Sequence, residues 1–185
     1  QGVVQIPTVS SVNDENTDWS QFDRLHQYMQ EAWPLIFEKL SLTRIGKASL
    51  LFHWKSDHPK KDPVLFMAHQ DVVPAIHEEQ WSHPPFGGEV EEGCLWGRGA
   101  EDCKSVLTAE MDAVEELLEE GFSPDFDIYL SFGHNEEVQC TPDKKGSVLT
   151  AAYLKEQGVH LACLFDEGGN VEEGKEGEPP LALVG

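Results

Sequence analysis

The feature that most constrains this chain is the spacing of its apolar runs. Ser49–Trp54, Val64–Ala68, Asp127–Phe132 and His160–Phe165 are each about four to six residues long and nearly all apolar. Short runs without polar alternation are what strands buried on both faces require. Between the second and third lies Ser105–Glu120. There Val106, Ala109, Ala113, Val114, Leu117 and Leu118 form a stripe at helical spacing, the acids fall opposite, and Gly121 stops the helix. Ser147–Gln157 reads as a second helix ending at Gly158, with Val148, Ala151, Ala152 and Leu154 inward. Upstream, Phe22, Leu25, Met29, Trp33, Ile36 and Leu40 mark one face of a helix over Trp19–Leu40, which Pro34 should bend or break. Strands alternating with helices predict an α/β domain on a largely parallel sheet. Gly88–Gly97, with Glu91-Glu92-Gly93 between two short runs, predicts a hairpin, and the Glu-, Gly- and Pro-rich segment Asn170–Pro180 a flexible loop.

Hydrophobic residues make up 39% of the 185, enough for one domain with a buried core. The 34 acids against 13 bases give a formal charge of −21. Such a surface repels nucleic acid and anionic membranes, so neither is an expected partner. No apolar run approaches the roughly 18 residues a membrane helix needs. Cys94, Cys103, Cys140 and Cys163 are scattered, which argues against a disulfide framework or a cysteine-rich zinc knuckle. Reduced thiols and a cytoplasmic location are the expectation. The chain opens on Gln1 and ends on Leu181-Ala-Leu-Val-Gly185, which reads as a strand just beginning. The expectation is therefore a segment of a longer protein.

The residues just after each apolar stretch carry the chemistry. Val64–Ala68 leads into His69-Gln-Asp71, and the hairpin into Gly97-Arg-Gly-Ala-Glu-Asp102-Cys-Lys104. Asp127–Phe132 leads into Gly133-His-Asn-Glu136-Glu137, and His160–Phe165 into Asp166-Glu167-Gly-Gly. The steps from His69 to Asp102, Asp102 to Glu136 and Glu137 to Asp166 are 33, 34 and 29 residues. That is close to one βαβ unit, so the groups can converge on one sheet edge, where α/β folds bind ligands. A lone strand-end histidine is usually packed or on the surface, and a lone Glu-Glu pair is usually solvated. Ordered recurrence at strand ends overturns those readings. Crowded carboxylates repel one another unless a cation sits among them, and imidazole with carboxylate suits zinc, cobalt or manganese.

The strings Leu65-Phe-Met-Ala-His-Gln-Asp-Val-Val-Pro74, Trp81-Ser-His-Pro-Pro-Phe-Gly-Gly88 and Leu95-Trp-Gly-Arg-Gly-Ala-Glu-Asp-Cys-Lys104 resemble the M20 family of metallopeptidases. The Asp-Glu-Gly-Gly ending at Gly169 looks most like its carboxypeptidase S and N-acyl amino acid hydrolase branch. The resemblance implies a three-layer zinc-exopeptidase (phosphorylase/hydrolase-like) sheet with helices on both faces. Residues 1–185 would be the N-terminal part of the catalytic domain, without the inserted lid and dimerisation domain. It further implies two zinc ions, or Co2+ or Mn2+ in their place. His69 and Asp166 would bind one metal, Asp102 would bridge both, and Glu137 would bind the second, with Glu167 competing with Asp166. Asp71 would accept the second imidazole N–H and fix the tautomer, and Glu136 would be the general base acting on a metal-bridging water. A cis peptide after Asp102 is also implied.

The implied reaction is hydrolysis of an amide bond in a small peptide or N-acyl amino acid, with a homodimeric parent protein. The family's distal histidine ligand has no counterpart here: His77, His83, His134 and His160 read as structural or surface residues. Glu101, beside Asp102, has no assigned role. Weak metal binding and little activity are expected of the segment alone, and a non-catalytic metal-binding or interaction fragment is the alternative. A phosphate binder is disfavoured because no glycine-rich loop with lysine opens a helix, and a serine hydrolase because G-x-S-x-G is absent.

Overall fold

The computed structural model describes residues 1–168 together with 171, 172, 174, 179, 181 and 182. Helix α1 spans Trp19–Ala32, with the Asp18 carboxylate accepting the Ser20 N–H at its start. It stops at Trp33 because Pro34 restricts the residue before it and cannot donate to the helix ladder. Pro34 then occupies the first turn of a separate short helix, α2, Pro34–Lys39. The expected bend is therefore a break.

Strand β1 (Ser41–Ile45) leads into β2 (Ser49–Trp54), followed by β3 (Val64–His69). A small hairpin of β4 (Glu89–Glu91) and β5 (Cys94–Trp96) comes next. Its two turn residues, Glu92 (φ 53°) and Gly93 (φ 79°), are both left-handed, the geometry that matches strand twist in a two-residue loop. Helix α3 covers Lys104–Glu119, β6 covers Ile128–Gly133, α4 covers Gly146–Glu156 and β7 covers Cys163–Phe165. A two-residue pairing joins β8 (Val171–Glu172) to β9 (Leu181–Ala182). Of the loop expected at 170–180, residues 170, 173, 175–178 and 180 lie outside the described residues, as do 169 and 183–185.

The main sheet has the order β1-β2-β6-β3-β7. Only β6–β3 and β3–β7 are parallel; β1–β2 and β2–β6 are antiparallel, so the sheet is mixed rather than largely parallel. The reason is the short Gly46 turn, which folds β2 directly back on β1 with no crossover helix between them. Helices cover both faces. On one, Leu25, Met29, Ile36, Leu107, Met111 and Leu118 pack against Leu50, Phe52, Leu130 and Phe132. On the other, Leu154 of α4 packs on Leu51, Leu65 and Tyr129.

Two helical stripes differ from expectation. The buried residues of α3 include Lys104, Leu107, Met111 and Glu115, while Ala109 and Ala113 are exposed. Glu115 is inward because its carboxylate accepts the Leu35 and Ile36 N–H groups, at 2.9 and 3.0 Å, closing the start of α2. In α4, Leu154 is buried but Val148, Ala151 and Ala152 are exposed, because β7 is an edge strand whose Leu164 and Phe165 are themselves half exposed. No helix among the described residues is long and apolar enough to cross a membrane.

Candidate metal centre

The parallel pairs β6–β3–β7 end on one sheet edge, and their C-terminal residues supply the site. His69 closes β3 and is almost fully buried. Its Nδ1 lies 2.8 Å from the backbone carbonyl of Asp71 and 3.8 Å from the Asp71 carboxylate. The tautomer is thus held by the main chain of Asp71, with the carboxylate farther off. Its Nε2 lies 2.8 Å from Asp102 Oδ1, 3.6 Å from Glu167 Oε1 and 4.0 Å from Glu136 Oε2.

Asp102 stands in the turn leading into α3, and the Asp102–Cys103 peptide is cis. Cys103 is buried, and its Sγ accepts the His69 N–H at 3.1 Å. Ligand atoms of His69, Asp102, Cys103 and Glu167 all lie within 4.8 Å of one another. Burial pushes the Cys103 thiol well above its ordinary range, so it stays protonated at neutral pH.

At the end of β6 the chain turns through Asn135, whose φ of 57° is left-handed. Asparagine tolerates this conformation, and its Nδ2 donates to the Lys144 carbonyl at 3.2 Å. The reversal aims the N–H groups of Glu136 and Glu137 back at β3. They donate to Asp71 Oδ1 and Oδ2, each at 3.1 Å, and Ser10 Oγ donates to Oδ2 at 2.7 Å. Asp71 has no exposed surface, so these three donors are its solvation.

Burial opposes charge on His69, but Asp71, Asp102 and Glu167 outweigh it and raise its pKa. Burial raises Glu137, with Asp102 and Asp71 adding to it, and burial raises Glu167, with Asp102 adding to it. The tautomer decides what the centre requires. With Nδ1–H donating to a carbonyl, which cannot donate back, neutral His69 presents a bare lone pair at Nε2 to the Asp102 carboxylate. Two acceptors 2.8 Å apart need a proton or a cation between them. The donor set therefore fits a divalent metal.

Asp166 is exposed; its Oδ1 accepts the Glu167 N–H at 2.9 Å, and it borders a groove with Leu65, Met67 and Leu164. In this arrangement Glu167, not Asp166, faces His69. Sequence reasoning missed Cys103 as a candidate ligand, because the residue offers only a thiol in an acidic setting. It also missed Ser10, a common residue 61 positions from its partner. Of the remaining histidines, His134 is buried against Ser49 Oγ at 2.6 Å, and His83 pairs with Glu89 at 2.8 Å.

Residues 65–179 match the model of the peptidase family M20/M25/M40. The chain belongs to this family. Carboxypeptidase S of Saccharomyces cerevisiae is 37% identical over 92% of the chain, which spans 31% of that protein. The mouse (Mus musculus) N-fatty-acyl-amino acid synthase/hydrolase PM20D1 is 37% identical over the whole chain, which spans 36% of that protein. Among solved structures, human carnosine dipeptidase 1 superposes with a TM-score of 0.69 at 20% identity, over 92% of this chain and 38% of that one. An M20 metallo-carboxypeptidase of Sulfolobus solfataricus gives 0.67 at 20% identity, over 93% and 37%. The chain thus spans about a third of the length of the relatives it matches, and its fold is that of the M20 peptidases.

Proposed function

We propose that this segment carries the larger part of a two-zinc centre that hydrolyses the amide bond of a small peptide or N-acyl amino acid. Co2+ or Mn2+ could take the place of zinc. The observation that carries the reading is the clustering of His69 Nε2, 2.8 Å from Asp102 and 3.6 Å from Glu167, where the ends of β3 and β7 meet the turn before α3. His69, Asp102, Glu137 and one carboxylate of the Asp166–Glu167 pair would hold the ions. Bound there, the ions would polarise the amide carbonyl and acidify water.

The chain's own residues supply the rest. Glu136 is half exposed with Oε2 4.0 Å from His69 Nε2, close enough to serve a water at the centre while reaching substrate. It takes the proton as the water oxygen attacks the carbonyl carbon, and gives it to the amine nitrogen as the C–N bond breaks. Carboxylic acid and amine are the products. Asp71 holds the turn that presents Glu136 and Glu137. The relatives, a carboxypeptidase and an N-fatty-acyl-amino acid synthase/hydrolase, support both substrate classes. Four unpaired cysteines suit the cytoplasmic placement expected from sequence. The homodimer expected of the parent remains part of the proposal.

The test is Glu136→Gln in the full-length protein. Amide hydrolysis should fall about 10²–10⁴-fold, the usual contribution of a general base, with bound metal unchanged. A variant that retains parental activity removes Glu136 from the mechanism.

A further inference from the structure

The Asp71 carboxylate is fully buried and receives three donors, two from the backbone of Glu136 and Glu137 and one from Ser10 Oγ. Of the three, Ser10 Oγ is the shortest contact, at 2.7 Å, and the only one from a side chain. Ser10 is itself buried at 2% exposure and lies on a strap that runs beside the end of β3. The strap is tied on both sides. Val72 N–H donates to the Thr8 carbonyl at 3.0 Å, Ser10 N–H donates to the Val72 carbonyl at 3.2 Å, and Thr8 Oγ1 donates to the Gln70 carbonyl at 2.6 Å. These bonds set the hydroxyl's position independently of the acids it serves.

We propose that Ser10 is a positioning residue for this centre: its hydroxyl orients the Asp71 carboxylate, which holds the turn presenting Glu136 and Glu137. The physical logic is that of a bracket. The Glu136 and Glu137 N–H groups, one on each oxygen at 3.1 Å, set the plane of the Asp71 carboxylate. The shorter Ser10 donor on Oδ2, at 2.7 Å, anchors that plane from the opposite strap and so limits its rotation about the Cβ–Cγ bond. Neighbouring residues on that turn have different tasks, so a small rotation misplaces both at once.

The role rests on the proposed tasks of Glu136 and Glu137, and the experiment separates the two. In the full-length protein, Ser10→Ala should lower kcat about 10-fold, within the 10–100-fold range of residues that support ligands, with KM within about 2-fold. Ser10→Thr, which keeps the hydroxyl, should restore most of the rate. Hydrogen exchange of the peptide spanning 133–140, read by mass spectrometry, should quicken about 10-fold or more in Ser10→Ala, while the β2 peptide keeps its protection. The exchange arm needs no turnover. A parent inactive on amides would sink the functional reading, and the exchange result would still decide the role of Ser10. Parental kcat with unchanged exchange overturns it, as does loss of protection spread evenly over the sheet. Should Ser10→Ala not fold, Ser10→Cys, close in size with a weak donor, is read in the same two assays, with the same outcomes deciding.

Discussion

Removing the Asp71 side chain tests the buried bracket most sharply. Asp71→Ala deprives one hydroxyl and two backbone amides of their acceptor, at 2.7, 3.1 and 3.1 Å, in a place with no exposed surface. A buried donor left unpaired costs about 1–3 kcal/mol, and bonds to a charged acceptor lie toward the upper end. Three donors at full cost would give about 9 kcal/mol, but water entering the vacated space re-pairs some of them. The expected loss is about 3–5 kcal/mol of unfolding free energy. Asp71→Asn keeps one carbonyl oxygen and the volume, so it should lose about half as much, while its NH2 faces a donor it cannot pair. The assay is equilibrium urea unfolding of parent and both variants, compared at equal m-value. An alanine variant within about 1 kcal/mol of the parent would refute the reasoning, because the three donors would then have found other partners.

Two other buried charged side chains, Glu115 and Lys104, give further outcomes. Glu115→Ala should destabilise by about 2 kcal/mol in the same assay, since the Leu35 and Ile36 N–H groups lose the carboxylate that caps α2, and a neutral result would mean solvent replaces it. Lys104 is buried with Nζ donating to the Val3 and Ile6 carbonyls at 2.9 and 2.7 Å, and burial pushes its pKa down to about 7, against the opposing pull of Asp71. The unfolded chain, with the lysine near 10.5, then holds more protons than the folded one between pH 7 and 10.5, so stability rises with pH in that window. Unfolding curves should show a slope of up to about 1.4 kcal/mol per pH unit that Lys104→Met removes; parallel curves for parent and variant would count against it.

The legible parts of the fold are those where burial dictates composition. Strands β2, β3 and β6 are central, so both faces must be apolar, and their runs stand out from the surrounding chain. The edge strand β1 is not legible: Ser41-Leu-Thr-Arg-Ile45 is partly exposed and carries no apolar run. The hairpin it forms with β2 reverses β2, which then runs antiparallel to β6 and makes the sheet mixed. The phase of α3 is obscured because alanines count as apolar wherever they point, whereas Lys104 and Glu115 are inward for reasons set by distant carbonyls and amides. At the site, residue types and strand-end positions reveal which segments converge. They cannot reveal that the Asp71 carboxylate serves the 136–137 turn more closely than the imidazole, since that depends on a reversal at Asn135. Nor can they choose between Asp166 and Glu167, whose alternation places one on each side of the strand end.

The central claim is that these acids and His69 form a cation site. Crystals of the full-length protein grown with zinc, and measured at the zinc absorption edge, test it directly. Two anomalous peaks are expected within about 2.0–2.3 Å of donor atoms of His69, Asp102, Glu137 and the Asp166–Glu167 pair. An absence of peaks there, with His69 Nε2 still 2.8 Å from Asp102, would contradict it.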